Sequence, residues 1–146
     1  MSKKVNGMAN EPLSTISIER LKELRTRLLR IHKTILDMER RGYERARGRI
    51  ANSYEFLQLV LKDPWFDWLH RLSELIVQID ETLDTVNSEK PASIEDGNEL
   101  LARAKALLTP AESGTEFQKN YFLALQQSPD VVLLHSEISR LLNDSK

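Results

Sequence analysis

Residues 21–38 read LKELRTRLLRIHKTILDM, and this stretch decides the fold class. Its apolar residues recur at alternating spacings of three and four, which is typical of an apolar seam along one side of an α-helix. Tyr43, Ala46 and Ile50 fall on the same side, so the helix is predicted to continue to about residue 50. The members of the seam are Leu21, Leu24, Leu28, Ile31, Ile35 and Met38.

Further helices follow along the chain, each bounded by polar or proline-containing residues. Residues 53–62 (SYEFLQLVLK) are apolar on nearly every side and predict a short buried helix. Asp63 is a predicted cap, and Pro64 occupies the first turn of a second long helix that continues to about residue 86. Three more amphipathic segments complete the chain and begin near Ser93, Thr115 and Ser128.

These patterns predict an all-α fold, a helical bundle of four main helices plus one or two short helices. A chain of 146 residues suits one domain. We expect residues 1–13 to form a disordered N-terminal tail and residues 14–146 to form the single helical-bundle domain. The spacing of the long helices also suits an antiparallel coiled-coil pair, or a dimer that shares them.

Composition excludes several classes of protein. The chain has no cysteine, which excludes disulfides, thiolate catalysis and Cys-based zinc sites. No apolar run approaches the ~20 residues that span a membrane, and the first residues lack the apolar middle of a secretory signal. We therefore expect a cytoplasmic location and no membrane partner.

The charge is distributed unevenly although the net charge is −1. Residues 1–50 hold 13 lysines and arginines against 6 acidic residues, a balance of +7. Residues 51–146 hold 8 against 16, a balance of −8. The division indicates either a basic binding surface or two parts of one bundle that attract each other, and the second interpretation is favoured because those parts must pack together.

Histidines are the first candidates for a metal site in a helical bundle. His32 lies within the apolar arc of the first helix, with Glu39 on the same arc, and His135 flanks the arc of the last helix. A metal or small-ligand site at His32, Glu39 and His135 is therefore an open alternative. Asp67 and His70 have the spacing of half a di-iron motif, but both are predicted to face away from the core.

No catalytic motif is present. There is no Gly-x-Ser-x-Gly turn and no glycine-rich phosphate loop, and the chain has only five glycines. Adjacent carboxylates such as Asp80 and Glu81 fall on polar helix faces. The sequence therefore favours a non-enzymatic role and predicts no cofactor.

Residues 40–49 (RRGYERARGR) hold five arginines. Arg41, Arg45 and Arg49 repeat every four residues on the side opposite the seam. Such a stripe is compatible with a solvated face, with an acidic protein or subunit partner, or with a nucleic-acid backbone. Nothing in the sequence supplies base recognition and the pI is about 6.3, so nucleic acid is the weakest of the three.

The segment DPWFDWLH, which begins at residue 63, holds both tryptophans of the chain. At 100° per residue, Trp65 and Trp68 lie on the core side of their helix. Phe66, His70 and Val77 lie on the outer side. We therefore predict that Phe66, His70 and Val77 form an interface, with the arginine stripe as a second patch.

The segments DPWFDWLHRLSELIVQIDE (63–81) and LLRIHKTILDMER (28–40) resemble small uncharacterised bacterial all-helical proteins that share a DPWFxWL-type segment. The resemblance covers about a quarter of the chain. It implies a bacterial, intracellular protein, and it brings with it no activity, ligand or catalytic residue.

The sequence as a whole favours a helical bundle that acts through protein–protein interaction or self-association, as a subunit or an adaptor. A bundle that binds a small ligand or metal through core-facing histidine and glutamate is one alternative. A weak nucleic-acid binder that uses the arginine stripe is the other.

Overall fold

The structure is a computed structural model and describes residues 10–144. This part of the chain forms six α-helices and one 3-10 segment without any strand, so the all-α prediction is confirmed. None of the described helices is both long and apolar enough to cross a membrane. The elements are α1 (Thr15–Arg47), α2 (Ser53–Lys62), the 3-10 segment (Pro64–Leu69), α3 (His70–Asp84), α4 (Ile94–Leu107), α5 (Glu116–Gln127) and α6 (Pro129–Asn143).

Short polar side chains fix where most of the elements begin. Each accepts a hydrogen bond from a backbone amide of the first turn, which satisfies a donor that has no partner inside the helix. At Ser93 and Thr115 the side chain three positions later accepts a hydrogen bond from the backbone amide of the capping residue, which completes a capping box. The capping residues are Ser14, Asn52, Asp63, Ser93, Thr115 and Ser128.

α1 is the longest element, with 33 residues. At 1.5 Å per residue it is about 50 Å long. It ends before the predicted boundary at residue 50 because Gly48 adopts a φ of 105°, a conformation that favours glycine. Ile50 is nevertheless buried, and its amide donates a hydrogen bond to the Glu44 carboxylate at 2.9 Å. The chain therefore folds back directly after α1.

The stretch Pro64–Leu69 is a 3-10 segment and not the first part of α3. A 3-10 helix has three residues per turn, so side chains three positions apart lie on the same side. Phe66 and Leu69 are such a pair, and both are buried. The predicted long helix therefore begins as a 3-10 segment, and α3 proper begins at His70.

α1 forms the centre of the packing. It contacts α3 and α6, α3 also contacts α4, and α4 contacts α6. α5 packs against α6 and the 3-10 segment, and α2 packs against the 3-10 segment. Five of the six seam residues are 0% exposed, and these are Leu21, Leu24, Leu28, Ile31 and Ile35.

Two ion pairs connect the basic part of the chain to the acidic part. Arg25 pairs with Asp80 of α3 at 3.0 Å, and Arg27 pairs with Glu137 of α6. All four side chains are partly exposed, so each pair contributes only about 0.2–1 kcal/mol to stability. The two ion pairs thus join the basic part of the chain to the acidic part, as the uneven charge distribution predicts.

Residues 11–13, which are predicted to be part of the tail, are connected to residues 92–94 by two backbone hydrogen bonds. The amide of Leu13 donates to the Ala92 carbonyl at 3.3 Å, and the amide of Ile94 donates to the Glu11 carbonyl at 2.8 Å. Leu13 also packs against the core. The earlier part of the predicted tail lies outside the described residues.

Candidate interaction site

Phe66 is wrongly predicted to lie on the surface. Its side chain is 0% exposed, between the rings of Tyr43 and Phe56, whose centroids are each 5.8 Å from its own. The prediction assumed 100° per residue, whereas the 3-10 geometry turns the chain by 120°. A buried side chain does not contact a partner, so Phe66 is removed from the predicted interface.

The two tryptophans differ in their surroundings. Trp68 is buried as predicted, and its indole N–H donates to the Glu39 carboxylate at 3.0 Å. Trp65 is only partly buried and forms a T-shaped pair with Tyr43, at 5.6 Å between centroids. Trp65 therefore packs against the end of α1 rather than inside the main core.

His70 and Val77 line an open groove of about 480 Å³ between α2 and α3. Leu61 of α2 lines the same groove. Leu61 is 56% exposed and Val77 is 52% exposed. His70 is partly buried because its Nε2 lies 3.0 Å from the Val60 carbonyl oxygen, which holds the ring against α2. The structure thus places His70 and Val77 on the same groove, about two helical turns apart.

α2 is not the buried helix that the sequence predicts, since none of its residues is buried. Tyr54 is 72% exposed and Leu57 is 52% exposed, and together with Leu61 they lie at spacings of three and four on one side of the helix. We call Tyr54, Leu57, Leu61 and Val77 the α2–α3 face. The sequence did contain a signal for this exposure. α2 is apolar on nearly every side, and it therefore has more apolar surface than one neighbouring element can cover.

The arginine stripe is exposed at the end of α1. Arg41, Arg45 and Arg49 take part in none of the ion pairs found between residues 10 and 144. Residues 39–49 hold five arginines against two acidic residues, Glu39 and Glu44. This end of the molecule therefore carries positive charge that its own carboxylates do not neutralise.

Two other arginines of this region pack against aromatic rings. The guanidinium carbon of Arg40 lies 4.6 Å from the centroid of the Phe56 ring. That of Arg47 lies 5.9 Å from Tyr43 and 5.8 Å from Trp65. These are cation–π distances, so Arg40 and Arg47 help to hold α2 and the 3-10 segment against α1.

The alternative metal site is not assembled. His32 Nε2 lies 2.9 Å from the Ser73 hydroxyl, and His135 Nδ1 lies 2.6 Å from the Tyr121 hydroxyl. Glu39 accepts from Trp68. Within residues 10–144, no three histidine or carboxylate side chains are grouped so that they could hold a metal ion. All three side chains are partly buried, but they face different neighbours.

Burial lowers the pKa of both His32 and His135, so the folded protein resists their protonation. The unfolded chain binds these protons near the ordinary pKa of 6.5. The part of the stability that depends on neutral imidazoles is therefore fully present above that pH and is lost as the pH falls below it. We expect urea unfolding to show a free energy that decreases from about pH 7 to about pH 5. The double variant His32→Gln/His135→Gln should show a shallower decrease, and an unchanged slope would contradict the assignment.

Comparisons with protein-family models, with curated proteins and with solved structures found no match to this chain.

Proposed function

We propose that this protein is a self-associating helical-bundle subunit and that the α2–α3 face is the surface on which two copies meet. The observation that carries the proposal is the exposed apolar stripe of α2, a helix that contributes no buried residue to its own fold. Contiguous apolar surface that remains exposed marks an interaction site more often than chance exposure. We take α1, α3, α4 and α6 as the four main helices of the bundle, since each contacts the next in a closed ring.

A two-fold arrangement suits the geometry of the stripe. If two α2 helices lie antiparallel, Leu57 falls near the axis, and Tyr54 of one copy faces Leu61 of the other. The same arrangement places Glu55 of one copy beside Lys62 of the other, and both side chains are exposed. The stripe therefore complements a second copy of itself in both shape and charge.

Charge on either side of the stripe adds to this complementarity. The arginine stripe is exposed at the end of α1, before α2 begins. The groove beyond Leu61 is lined by the exposed carboxylates of Glu74 and Glu81. An antiparallel pair brings the basic end of one copy towards the acidic groove of the other, and it does so twice. Opposite charges at the edge of an interface raise the association rate and fix the orientation. This favours a second copy over an unrelated partner helix.

The mass of the native protein in solution tests the proposal. We expect twice the mass of one chain by light scattering after gel filtration. Leu57→Glu should weaken the dimer by roughly a hundredfold, about 3 kcal/mol, because it would place two carboxylates against each other in a dry interface. Leu123→Glu is the matched control, since Leu123 on α5 is also 52% exposed but lies outside the α2–α3 face.

Several outcomes would contradict self-association. A protein that remains a monomer at every concentration, or equal masses for Leu57→Glu and Leu123→Glu, would exclude the α2–α3 face as a dimer interface. The nucleic-acid alternative would be favoured instead if the protein is a monomer that binds single-stranded DNA. That binding should weaken steeply as the salt concentration rises, and the Arg45→Glu variant should bind more weakly. Circular dichroism of both variants should match that of the parent protein.

A further inference from the structure

An open cleft of about 400 Å³ lies where α3, α4 and the start of α5 meet. Its volume is within the range of about 300–1,000 Å³ that is usual for small-molecule sites. Leu75 and Leu107 supply apolar lining from α3 and α4. The cleft is separate from the α2–α3 face, although Glu74 and Gln78 line both the cleft and the groove beside Val77.

Two arginines from different helices line this cleft, Arg71 of α3 and Arg103 of α4. In the described residues neither guanidinium belongs to an ion pair. Glu74 is the one carboxylate among the lining residues, so the charge of the lining is positive. Guanidinium groups recognise carboxylate and phosphate oxygens in pairs of parallel hydrogen bonds.

The first turn of α5 opens onto the same cleft. Thr115 and Gln118, which form its capping box, both line the cleft. The box holds the helix start in place, and the positive end of the helix dipole adds to the potential of the two arginines. Residues from three separate elements thus line one volume, and the lining has a net positive charge.

Gln78 indicates a second requirement of the ligand. Its side-chain Oε1 is buried and has no hydrogen-bond partner within the described part of the chain. Buried acceptors are nearly always satisfied, so an unpaired one in a residue that lines a cleft calls for a donor that reaches it when the amide group turns towards the cleft. A ligand that carries an N–H or O–H group near its anionic group would supply that donor.

We infer that this cleft binds a small organic oxyanion that also carries a hydroxyl or amine donor. Arg71 and Arg103 hold the anionic group, Gln78 accepts from the donor, and the apolar lining covers the carbon skeleton. A carboxylate and a phosphate monoester share this chemistry. The inference concerns the side of α3 that packs with α4, whereas self-association concerns the side that faces α2, and Glu74 and Gln78 lie between the two.

The two sources are distinguished by titrating the full-length protein separately with glycerol 3-phosphate and with 3-hydroxybutyrate, at constant ionic strength. Binding is followed through the amide and guanidinium resonances in ¹H–¹⁵N spectra. One of the two probes should shift the signals of Arg71, Arg103 and Gln78 and should bind more tightly than inorganic phosphate or butyrate, which lack the carbon skeleton or the hydroxyl donor.

Three variants test the assigned roles. Arg103→Gln should weaken binding about tenfold or more, because it removes a charge-assisted hydrogen bond. Gln78→Met should remove the preference for 3-hydroxybutyrate over butyrate while leaving the protein folded. Arg30→Gln is the matched control, since Arg30 is also exposed and is absent from the ion pairs of the described chain.

The inference is overturned if neither probe shifts these resonances up to about 10 mM, or if Arg30→Gln weakens binding as much as Arg103→Gln does. Shifts confined to Arg41, Arg45 and Arg49 would also overturn it, because they would show attraction to the basic end of α1 alone. The mass of the protein should not change during the titration, which keeps the result distinguishable from a failure of the proposed dimer.

Discussion

Replacing Phe66 with alanine is expected to lower the free energy of unfolding by about 3–5 kcal/mol. Phe66 is wholly buried and joins three elements, because its ring packs against Tyr43 of α1 and Phe56 of α2. Since no residue of α2 is itself buried, Phe66 is one of the few anchors of that helix. Urea unfolding followed by tryptophan fluorescence measures the loss at a fixed protein concentration.

Two further variants separate packing from other causes. Phe66→Leu keeps most of the apolar volume and should cost about 1–2 kcal/mol. Leu123→Ala removes an exposed side chain and should change stability by less than about 0.5 kcal/mol. If Phe66→Ala left stability unchanged and altered the oligomeric state instead, the buried position of Phe66 would be contradicted and the surface role predicted from the sequence would be restored.

Replacing Tyr121 with alanine is expected to cost a similar amount, about 3–5 kcal/mol. Tyr121 is 0% exposed and stacks on Phe117 at 5.6 Å, with an angle of 22° between the rings. Phe117 in turn lies 5.4 Å from Trp68, so the three rings connect α5 to the 3-10 segment. The loss should again appear in urea unfolding and in the tryptophan emission.

Tyr121→Phe isolates the hydroxyl group. Burial raises the pKa of Tyr121 and lowers that of His135, so both groups are neutral near pH 7, and the phenol and Nδ1 of the imidazole share a hydrogen bond of 2.6 Å. Loss of this bond should cost about 1–2 kcal/mol, and Tyr54→Phe, at an exposed tyrosine, should cost less than about 0.5 kcal/mol. Equal losses for Tyr121→Phe and Tyr121→Ala would show that ring packing contributes nothing.

The raised pKa of Tyr121 also has a consequence at alkaline pH. The unfolded chain loses the phenolic proton near the ordinary value of 10.0, whereas the folded protein retains it. The stability that depends on the neutral phenol is therefore present below pH 10.0 and is lost above it. This contribution should be absent from Tyr121→Phe.

Local interactions explain which features the sequence could predict. Leu24, Leu28 and Ile31 lie on one side of α1 because their spacing follows the helical repeat. Ser93 and Thr115 begin helices because their hydroxyls bond to amides only three residues away. Neither feature depends on residues distant in the chain.

The candidate sites depend on distant residues, and for that reason they were only partly predicted. His70 and Val77 were placed on the outer side of their helix, and the structure confirms that Val77 is exposed. That Leu61 lies beside them follows from how α2 folds back onto the 3-10 segment. Arg71 and Arg103 likewise line one cleft from two different helices, and the periodicity of neither helix predicts that they meet.

The sequence by itself determined that the chain is helical, where most helices begin, and which side of α1 faces inward, because periodicity and capping act over one or two turns. The tertiary structure alone decided that Phe66 is buried, that α2 is exposed and that His32, Glu39 and His135 have separate partners. The physical reason is that burial and side-chain pairing depend on which distant surfaces meet. The change from 3.6 to three residues per turn moves Phe66 by about 60° relative to Leu69, and Tyr43 of α1 and Phe56 of α2 cover it there.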